Sequence, residues 1–329
     1  MDTKAKKESG KLNIVDNDVD FWKIWESNPK ELERQFAPIM WIVNKDKKET
    51  YDTHIKVSTI ETVKARECVP CKLDVSYGNH AEKVMDIYGT DLPSSAPTLF
   101  FVHGGYWRSG KKSWSGPMVR NAYSWGVRTI VIDYPLAPQA RLGTICNATQ
   151  ECLSYAMQMF PESTFVIAGH SAGAQLLLSL FHKIPGVMSI SDNLKKRVAG
   201  AFLISPPYDM RPVIGIRSIN KALQLKPEEV DQFSAVLTVS QIHPGWFQNQ
   251  GQVEFSFCSG EHDPPALILQ GEMYAAMLKQ AGFSVNFRII SEYDHFTLID
   301  NMVDAHSEIT NTLKNFVLHC SESKKKANL

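Results

Sequence analysis

A series of short apolar runs, each followed by a turn and a helical stretch, limits the folds open to this 329-residue chain more than any other feature. Continuous apolar strands are expected where helices cover both faces of a sheet. Strand–helix alternation over about 220 residues therefore predicts a mostly parallel sheet with right-handed crossovers. The apolar runs are 98–102, 128–132, 164–168, 199–204, 253–258 and 285–290, and the helical stretches lie near 145–159, 172–183, 266–281 and 299–318.

The region that precedes these runs has a different pattern. A helical stretch near 18–38 is followed by three alternating segments, which are typical of antiparallel strands at a sheet edge. The three segments are 53–65, 71–77 and 83–88. We therefore expect a single α/β domain over 19–320, in which antiparallel N-terminal edge strands lead into a mostly parallel central sheet with helices on both faces.

The two ends of the chain are polar and charged. We expect flexible segments at 1–18 and at the basic tail 321–329, where a solvated terminus is favoured over a nuclear signal or a partner-binding role. The first segment lacks the apolar stretch of a signal peptide, and no run reaches the roughly 18 apolar residues of a membrane helix. A cytoplasmic location is expected, with the nucleus as an alternative, and no membrane partner.

Charge and cysteine content narrow the partners further. Lys plus Arg equals Asp plus Glu, 35 each, so there is no electrostatic reason to expect nucleic acid. Six scattered cysteines suggest no disulfide framework and fit a reducing compartment. The pair Cys68-Val-Pro-Cys71 reads as a strand connection rather than a redox motif, and no second pair completes a zinc site. We expect a small-molecule substrate and neither a metal nor a cofactor.

The strongest local signal is the sequence Gly169-His-Ser171-Ala-Gly173, which lies between an apolar run and a helical stretch. A nucleophilic serine on a strained strand–turn–helix junction requires this context, and it requires very small neighbours because strand and helix pass close together. Ser171 is the candidate nucleophile. Ala172 would present a backbone N–H at a helix N-terminus, and His170 would be a turn residue whose side chain points away from the serine.

A second glycine motif, His103-Gly104-Gly105-Tyr106-Trp107, directly follows the run 98–102. Loops of this type supply backbone N–H donors to the oxyanion of acyl-transfer enzymes. His103 is expected to brace the loop rather than act as a base. Tyr106 and Trp107 could wall the site, although for Trp107 a core position is equally open.

The remaining members of a serine, acid and histidine triad should follow in that order. Asp263 follows the strand before the last and is preferred over Asp209, with the nearby Glu261 as a rival. His295, in a short loop between the last strand and the last helical stretch, is the candidate base. The other histidines after the acid, His306 and His319, are expected within the final helix and far from the strand ends.

With these residues in place, the chain resembles the kynurenine formamidases (arylformamidases), a family of α/β-hydrolases, over about residues 30–305. The segments that carry the resemblance are 31–41, 86–88, 100–110, 134–138, 169–173, 205–209, 260–264 and 294–296. The tryptophan that closes the glycine loop and the N-terminal segment point to this family more narrowly than the other motifs. Phe36, Ala37 and Pro265 depart from the family pattern, and the last of these could reshape the acid loop.

The resemblance implies hydrolysis of N-formyl-L-kynurenine to L-kynurenine and formate, in tryptophan catabolism. Ser171, Asp263 and His295 then match the family triad, and the loop 103–107 matches its oxyanion motif. A homodimer is a further expectation. Two alternatives remain open, a carboxylesterase of small esters and a catalytically silent scaffold with the same fold.

Overall fold

The computed structural model describes residues 19–44, 46–246 and 253–327. Within this part of the chain, eight strands form one sheet. They are β1 Cys71–Ser76, β2 Val84–Tyr88, β3 Thr98–Val102, β4 Arg128–Ile132, β5 Phe165–His170, β6 Val198–Ile204, β7 Glu254–His262 and β8 Val285–Asp294.

The strand order of the sheet is β1-β2-β4-β3-β5-β6-β7-β8. The first strand pairs antiparallel with β2, which pairs antiparallel with β4, and all later pairings are parallel. Strands β3 to β6 are buried along their whole length, as expected of strands covered on both faces. The predicted fold, a mostly parallel sheet with an antiparallel N-terminal edge, is confirmed.

Helices cover both faces of this sheet, and each face has its own apolar core. One core receives Leu153, Leu176 and Leu278 from three of the helices, and the other receives Val119 and Val317. The helices are α1 Pro29–Phe36, α2 Lys47–Cys68, α3 Val119–Ser124, α4 Leu142–Met159, α5 Ala172–Leu178, α6 Asp192–Lys195, α7 Arg211–Gly215, α8 Arg217–Leu223, α9 Pro227–Val230, α10 Pro265–Gln280, α11 Thr297–Asp300 and α12 Glu308–Ala327. Pro265 opens α10, a position where the missing N–H of proline costs no hydrogen bond.

The strand predicted over 53–65 is wrong, because this segment is the middle of the 22-residue helix α2. The helix is capped by Asp46, whose side chain accepts hydrogen bonds from the backbone of Lys48 and Glu49. Its buried residues are mostly polar and recur at helical spacing: Thr50, His54, Ser58, Glu61, Thr62 and Ala65. The alternating apolar residues that suggested a strand include Ile60 and Val63, which are exposed.

The C-terminal region also differs from the sequence prediction. The stretch 299–318 is not one helix, since α11 ends at Asp300 and α12 begins at Glu308. His306 therefore lies in the turn between these helices, exposed, and not within the final helix. Most of the tail 321–329, predicted to be flexible, continues α12 to Ala327. The predicted flexible segment 1–18 lies outside the described residues, and no described helix is long and apolar enough to cross a membrane.

Candidate active site

The turn between β5 and α5 holds Ser171 in a strained backbone conformation, with φ 53° and ψ −121°. Such a conformation is rare for a residue with a side chain and costs about 1–3 kcal/mol. In this turn the backbone packs closely against neighbouring segments at two glycines. A Cβ added to Gly169 would lie 2.8 Å from the backbone nitrogen of Ala174, and one added to Gly173 would lie 2.2 Å from the carbonyl oxygen of Val102. Neither position can hold a side chain, which is the physical reason for the Gly-x-Ser-x-Gly pattern.

The glycine loop that follows β3 packs directly against this turn. A Cβ added to Gly104 would lie 3.1 Å from the Cβ of Ser171. The next three residues, Gly105, Tyr106 and Trp107, all have positive φ values of 121°, 53° and 58°. The loop therefore turns sharply beside the serine. The N–H of Ala172, the first residue of α5, has no acceptor within that helix and is therefore available to another acceptor.

His103 is built into this loop as a brace. Its ring stacks on Tyr134 at a centroid distance of 4.5 Å, and its Nδ1 lies 2.7 Å from the carbonyl oxygen of Gly104. The hydroxyl of Tyr134 donates to the carbonyl oxygen of His103. Burial lowers the pKa of His103, so the ring remains neutral and holds the loop without adding charge.

Trp107 both packs in the core and lines the site, the two positions that the sequence left open for it. The side chain is buried, and its Nε1–H donates to the side-chain oxygen of Gln175 on α5 at 3.0 Å. The ring also lines a small cavity that reaches Ser171. The glycine loop is thus tied to the helix that follows the serine.

Asp263 and His295 lie side by side after β7 and β8, with His295 Nδ1 2.7 Å from Asp263 Oδ1. Both residues are buried. The other carboxylate oxygen, Oδ2, accepts the hydroxyl of Ser205 at 2.5 Å and the backbone N–H of Gly260 at 2.7 Å. Three donors therefore fix this carboxylate, and it in turn fixes which imidazole nitrogen carries the proton.

Sequence reasoning missed Ser205. It lies just after β6, fully buried and with a positive φ of 50°, and its backbone N–H donates to Cys258 on the neighbouring strand β7. The signal was available in principle, because the segment 205–209 was recognised as a motif and parallel neighbours place their carboxyl ends together. Asp209 is the acidic residue of that segment, but Ser205 is the residue that contacts Asp263.

The rival acids and histidines have other partners. Asp209 is buried in an ion pair with Arg211, with 2.6 Å between Oδ2 and Nη2. Glu261 accepts the backbone N–H of Glu292 near the surface. His319, on α12, lies 3.2 Å from a carboxylate oxygen of Glu254 and far from the strand ends that carry the serine.

His170, expected to be only a turn residue, contacts the loop that carries His295, which we call the histidine loop. Its Nε2 lies 3.0 Å from the backbone carbonyl oxygen of His295, and the two rings are 4.5 Å apart. Burial, with a contribution from His295, holds the pKa of His170 well below its usual range. A neutral His170 therefore donates to that carbonyl and helps to hold the loop that carries His295.

Two cavities of very different size meet at Ser171. The larger, of about 380 Å³, is bounded by the glycine loop, by four histidines and by aromatic residues of α2 and the histidine loop. The smaller, of about 20 Å³, is apolar. Its lining residues are Phe36, Pro38, Tyr106, Trp107, Ser171, Ala172, Pro207, Val213, Ile216, Ile219 and Leu267.

This arrangement has the parts that acyl transfer needs: a strained serine, an imidazole oriented by a buried carboxylate, and a glycine loop beside them. Among the described residues, no group of three or more His, Cys, Asp or Glu side chains could hold a metal ion.

Comparison with known proteins agrees with this fold. Residues 99–298 match the family model for the alpha/beta hydrolase fold. Kynurenine formamidase from Danio rerio is 28% identical over 295 residues, which cover 88% of this chain and 97% of the relative. Kynurenine formamidase from Drosophila melanogaster is 29% identical over 248 residues, 73% of this chain and 79% of the relative. Among solved structures, esterase B from Lactobacillus rhamnosis superposes with a TM-score of 0.65 at 14% identity, over 91% of this chain and 99% of that chain.

The fold, the site and the family match define the class of protein: the chain belongs to the α/β-hydrolase family. Because the sequence similarity to kynurenine formamidases extends over most of both chains, it is a kynurenine formamidase-like α/β-hydrolase, and it is an enzyme.

Proposed function

We propose that this enzyme hydrolyses N-formyl-L-kynurenine to L-kynurenine and formate, with Ser171 as nucleophile, His295 as general base and Asp263 as the residue that orients it. Three observations support the assignment of roles: the strained turn at Ser171, the 2.7 Å contact between His295 and Asp263, and the glycine loop packed against the serine.

In the first half of the reaction, Ser171 Oγ attacks the formyl carbon while His295 Nε2 accepts its proton. The carbonyl oxygen becomes negative and receives hydrogen bonds from backbone N–H groups of the glycine loop and Ala172. The imidazolium, stabilised by Asp263, then gives its proton to the aniline nitrogen as the C–N bond breaks. L-Kynurenine leaves, and the formyl group remains on the serine.

In the second half, His295 accepts a proton from a water molecule as that water attacks the formyl-serine ester. The second tetrahedral intermediate uses the same N–H donors. Its collapse breaks the bond to Ser171 Oγ, which takes the proton from His295, and formic acid leaves and ionises to formate and a proton in solution. The enzyme returns to its starting state, and the reaction consumes only substrate and water.

The observation that carries the formyl specificity is the difference between the two cavities at Ser171. A formyl group has only a hydrogen on its carbonyl carbon, and the apolar cavity of about 20 Å³ has little room for anything larger. The cavity of about 380 Å³ on the other side is within the size range of sites for small organic ligands. We therefore assign the small cavity to the acyl group and the large one to the aromatic amine.

The direct test is to incubate the enzyme with N-formyl-L-kynurenine and, in parallel, with a p-nitrophenyl ester of a short acid. We expect release of equimolar kynurenine and formate, and a loss of about 10⁴-fold or more in Ser171→Ala, because triad residues act as a unit. A fluorophosphonate should label the wild type and not the variant. Efficient turnover of the ester with no release of formate would favour the carboxylesterase alternative. A cytoplasmic location and a homodimer stay predictions.

A further inference from the structure

The large cavity contains a second imidazole–carboxylate pair that the proposed reaction does not use. His54 lines this cavity, and its Nδ1 lies 2.6 Å from Oδ1 of Asp300. The two side chains are only 11% and 15% exposed. Asp300 therefore stands behind His54, away from bulk water, much as Asp263 stands behind His295.

The pair is held rigidly by the elements that carry it. His54 lies in the middle of α2 on its buried polar face, and Asp300 ends the short helix α11, which follows the loop of His295. The ring of Phe296 packs on His54 at a centroid distance of 5.4 Å. Because Nδ1 is occupied by the carboxylate, the free polar atom of His54 is Nε2.

We propose that His54, held by Asp300, forms a binding subsite for the primary ammonium group of the substrate's amino-acid tail. The inference rests on the proposed function, since the leaving group of that reaction is an aromatic amine with an α-amino acid tail. The formamide occupies Ser171, the aromatic ring fills the large cavity, and the ammonium donates a hydrogen bond to His54 Nε2.

The carboxylate of Asp300 favours an ammonium over a carboxylate beside His54, whereas Arg108, a cation that lines the same cavity, follows the glycine loop in the chain. When Nδ1–H donates to Asp300, Nε2 is a lone-pair acceptor, and the pair as a whole carries the negative charge of the carboxylate. Two other histidines of the cavity, His103 and His170, are kept neutral by burial, which lowers the pKa of each. An attraction between opposite charges is also stronger in such a buried site than in water.

The test compares four formamides on one aromatic ketone core: N-formylkynurenine, its desamino analogue, its decarboxy analogue and the compound without a tail. For the wild type we expect kcat/KM to be higher for the two amine-bearing compounds. In Asp300→Asn, which keeps the shape of the side chain and removes its charge, this advantage should fall roughly 10- to 100-fold, the range for a hydrogen bond to a charged group, mainly through KM. Turnover of the compound without a tail should stay within about twofold of the wild-type value. His54→Gln should behave in the same way.

Asp304→Asn is the matched control, because Asp304 lies in the same segment and its side chain accepts only a backbone N–H of His306 in the described structure. It should leave all four rates unchanged. If kcat/KM of Asp300→Asn falls equally for all four compounds, the role of Asp300 is purely structural. If kcat/KM falls only for the two compounds that carry the carboxylate, the subsite binds the carboxylate of the tail and not its ammonium. Either result overturns the inference and leaves the formamidase proposal standing. If the wild type cleaves none of the four formamides, both proposals fail.

Discussion

Two buried aspartates follow neighbouring strands of the sheet, and their partners separate their roles. Asp263 contacts His295, whereas Asp209 is paired with Arg211 and accepts that residue's backbone N–H. A carboxylate that fixes an imidazole tautomer affects turnover, and one that holds an arginine affects stability. The two residues therefore form a natural matched pair for substitution.

We predict that Asp263→Asn lowers kcat by orders of magnitude, about 10⁴-fold if the wrong tautomer of His295 dominates, as in serine proteases. Asp209→Asn should leave kcat nearly unchanged and lower the midpoint of thermal unfolding, because the buried carboxylate that pairs with Arg211 loses its charge and Arg211 keeps only its ion pair with Asp20. Steady-state kinetics and thermal unfolding of both variants check this. The opposite pattern would reassign the acid to Asp209.

Ser205 offers a finer test at the same site. Its hydroxyl is one of three donors to Asp263, so Ser205→Ala should lower kcat by about tenfold, the scale of one hydrogen bond to a charged group, with KM unchanged. The control is Ser259→Ala, since the hydroxyl of Ser259 is buried on the neighbouring strand β7 without a hydrogen-bond partner in the described structure. If Ser205→Ala is as active as the control variant, the hydroxyl of Ser205 does not contribute to turnover.

At the scale of elements, the short helices α7 and α8 form part of the wall of the small cavity. Val213 of α7, Ile216 between the two helices and Ile219 of α8 contribute to its wall, together with residues of the glycine loop and α5. The acyl group that the enzyme accepts should therefore depend on this insertion after β6, while the position of the serine depends on the sheet.

We predict that Val213→Ala widens the small cavity and raises the relative kcat/KM for the acetyl analogue of the substrate by about tenfold, because one methyl group is worth roughly 10–200-fold in a tight pocket. Ile214→Ala, on the same helix but not lining the cavity, is the control and should leave the preference unchanged. Unaltered preference in both variants would mean that another element limits the acyl group.

The apolar patterns of the sequence predicted the parallel strands well, because buried strands of an α/β sheet are continuous apolar runs. They failed at α2, where the buried face is polar and some alternating apolar residues face outward. For the same reason the sequence did not predict that His54 lines the cavity, since a residue in an edge strand would not reach it. The small cavity could not be predicted either, because its wall comes from segments far apart in sequence.

At the scale of the whole molecule, several histidines are buried as neutral rings, and this links stability to pH. Burial lowers the pKa of His182 to about 4 and lowers those of His103 and His170 as well. In the unfolded chain each ring binds a proton near pH 6.5. Below that pH the unfolded state holds more protons than the folded state, so the free energy of unfolding must fall as the pH falls.

We predict that His182 contributes a loss of about 1.4 kcal/mol per pH unit between about pH 6.5 and pH 4, and that His103 and His170 change the stability in the same direction. Denaturant unfolding between pH 7 and pH 5 measures the slope. His182→Gln should reduce this slope by about 1.4 kcal/mol per pH unit at the acidic end of the range. The same slope in wild type and His182→Gln would contradict the assignment of a neutral buried ring.

The central claim is that this hydrolase is a formamidase, and the most direct measurement is the ratio of kcat/KM for N-formyl-L-kynurenine and its N-acetyl analogue. These substrates differ by one methyl group at the carbon that Ser171 attacks, on the side of the cavity of about 20 Å³. The account predicts a ratio of at least about ten in favour of the formyl compound. Equal rates for the two, or faster turnover of simple esters than of either, would contradict it.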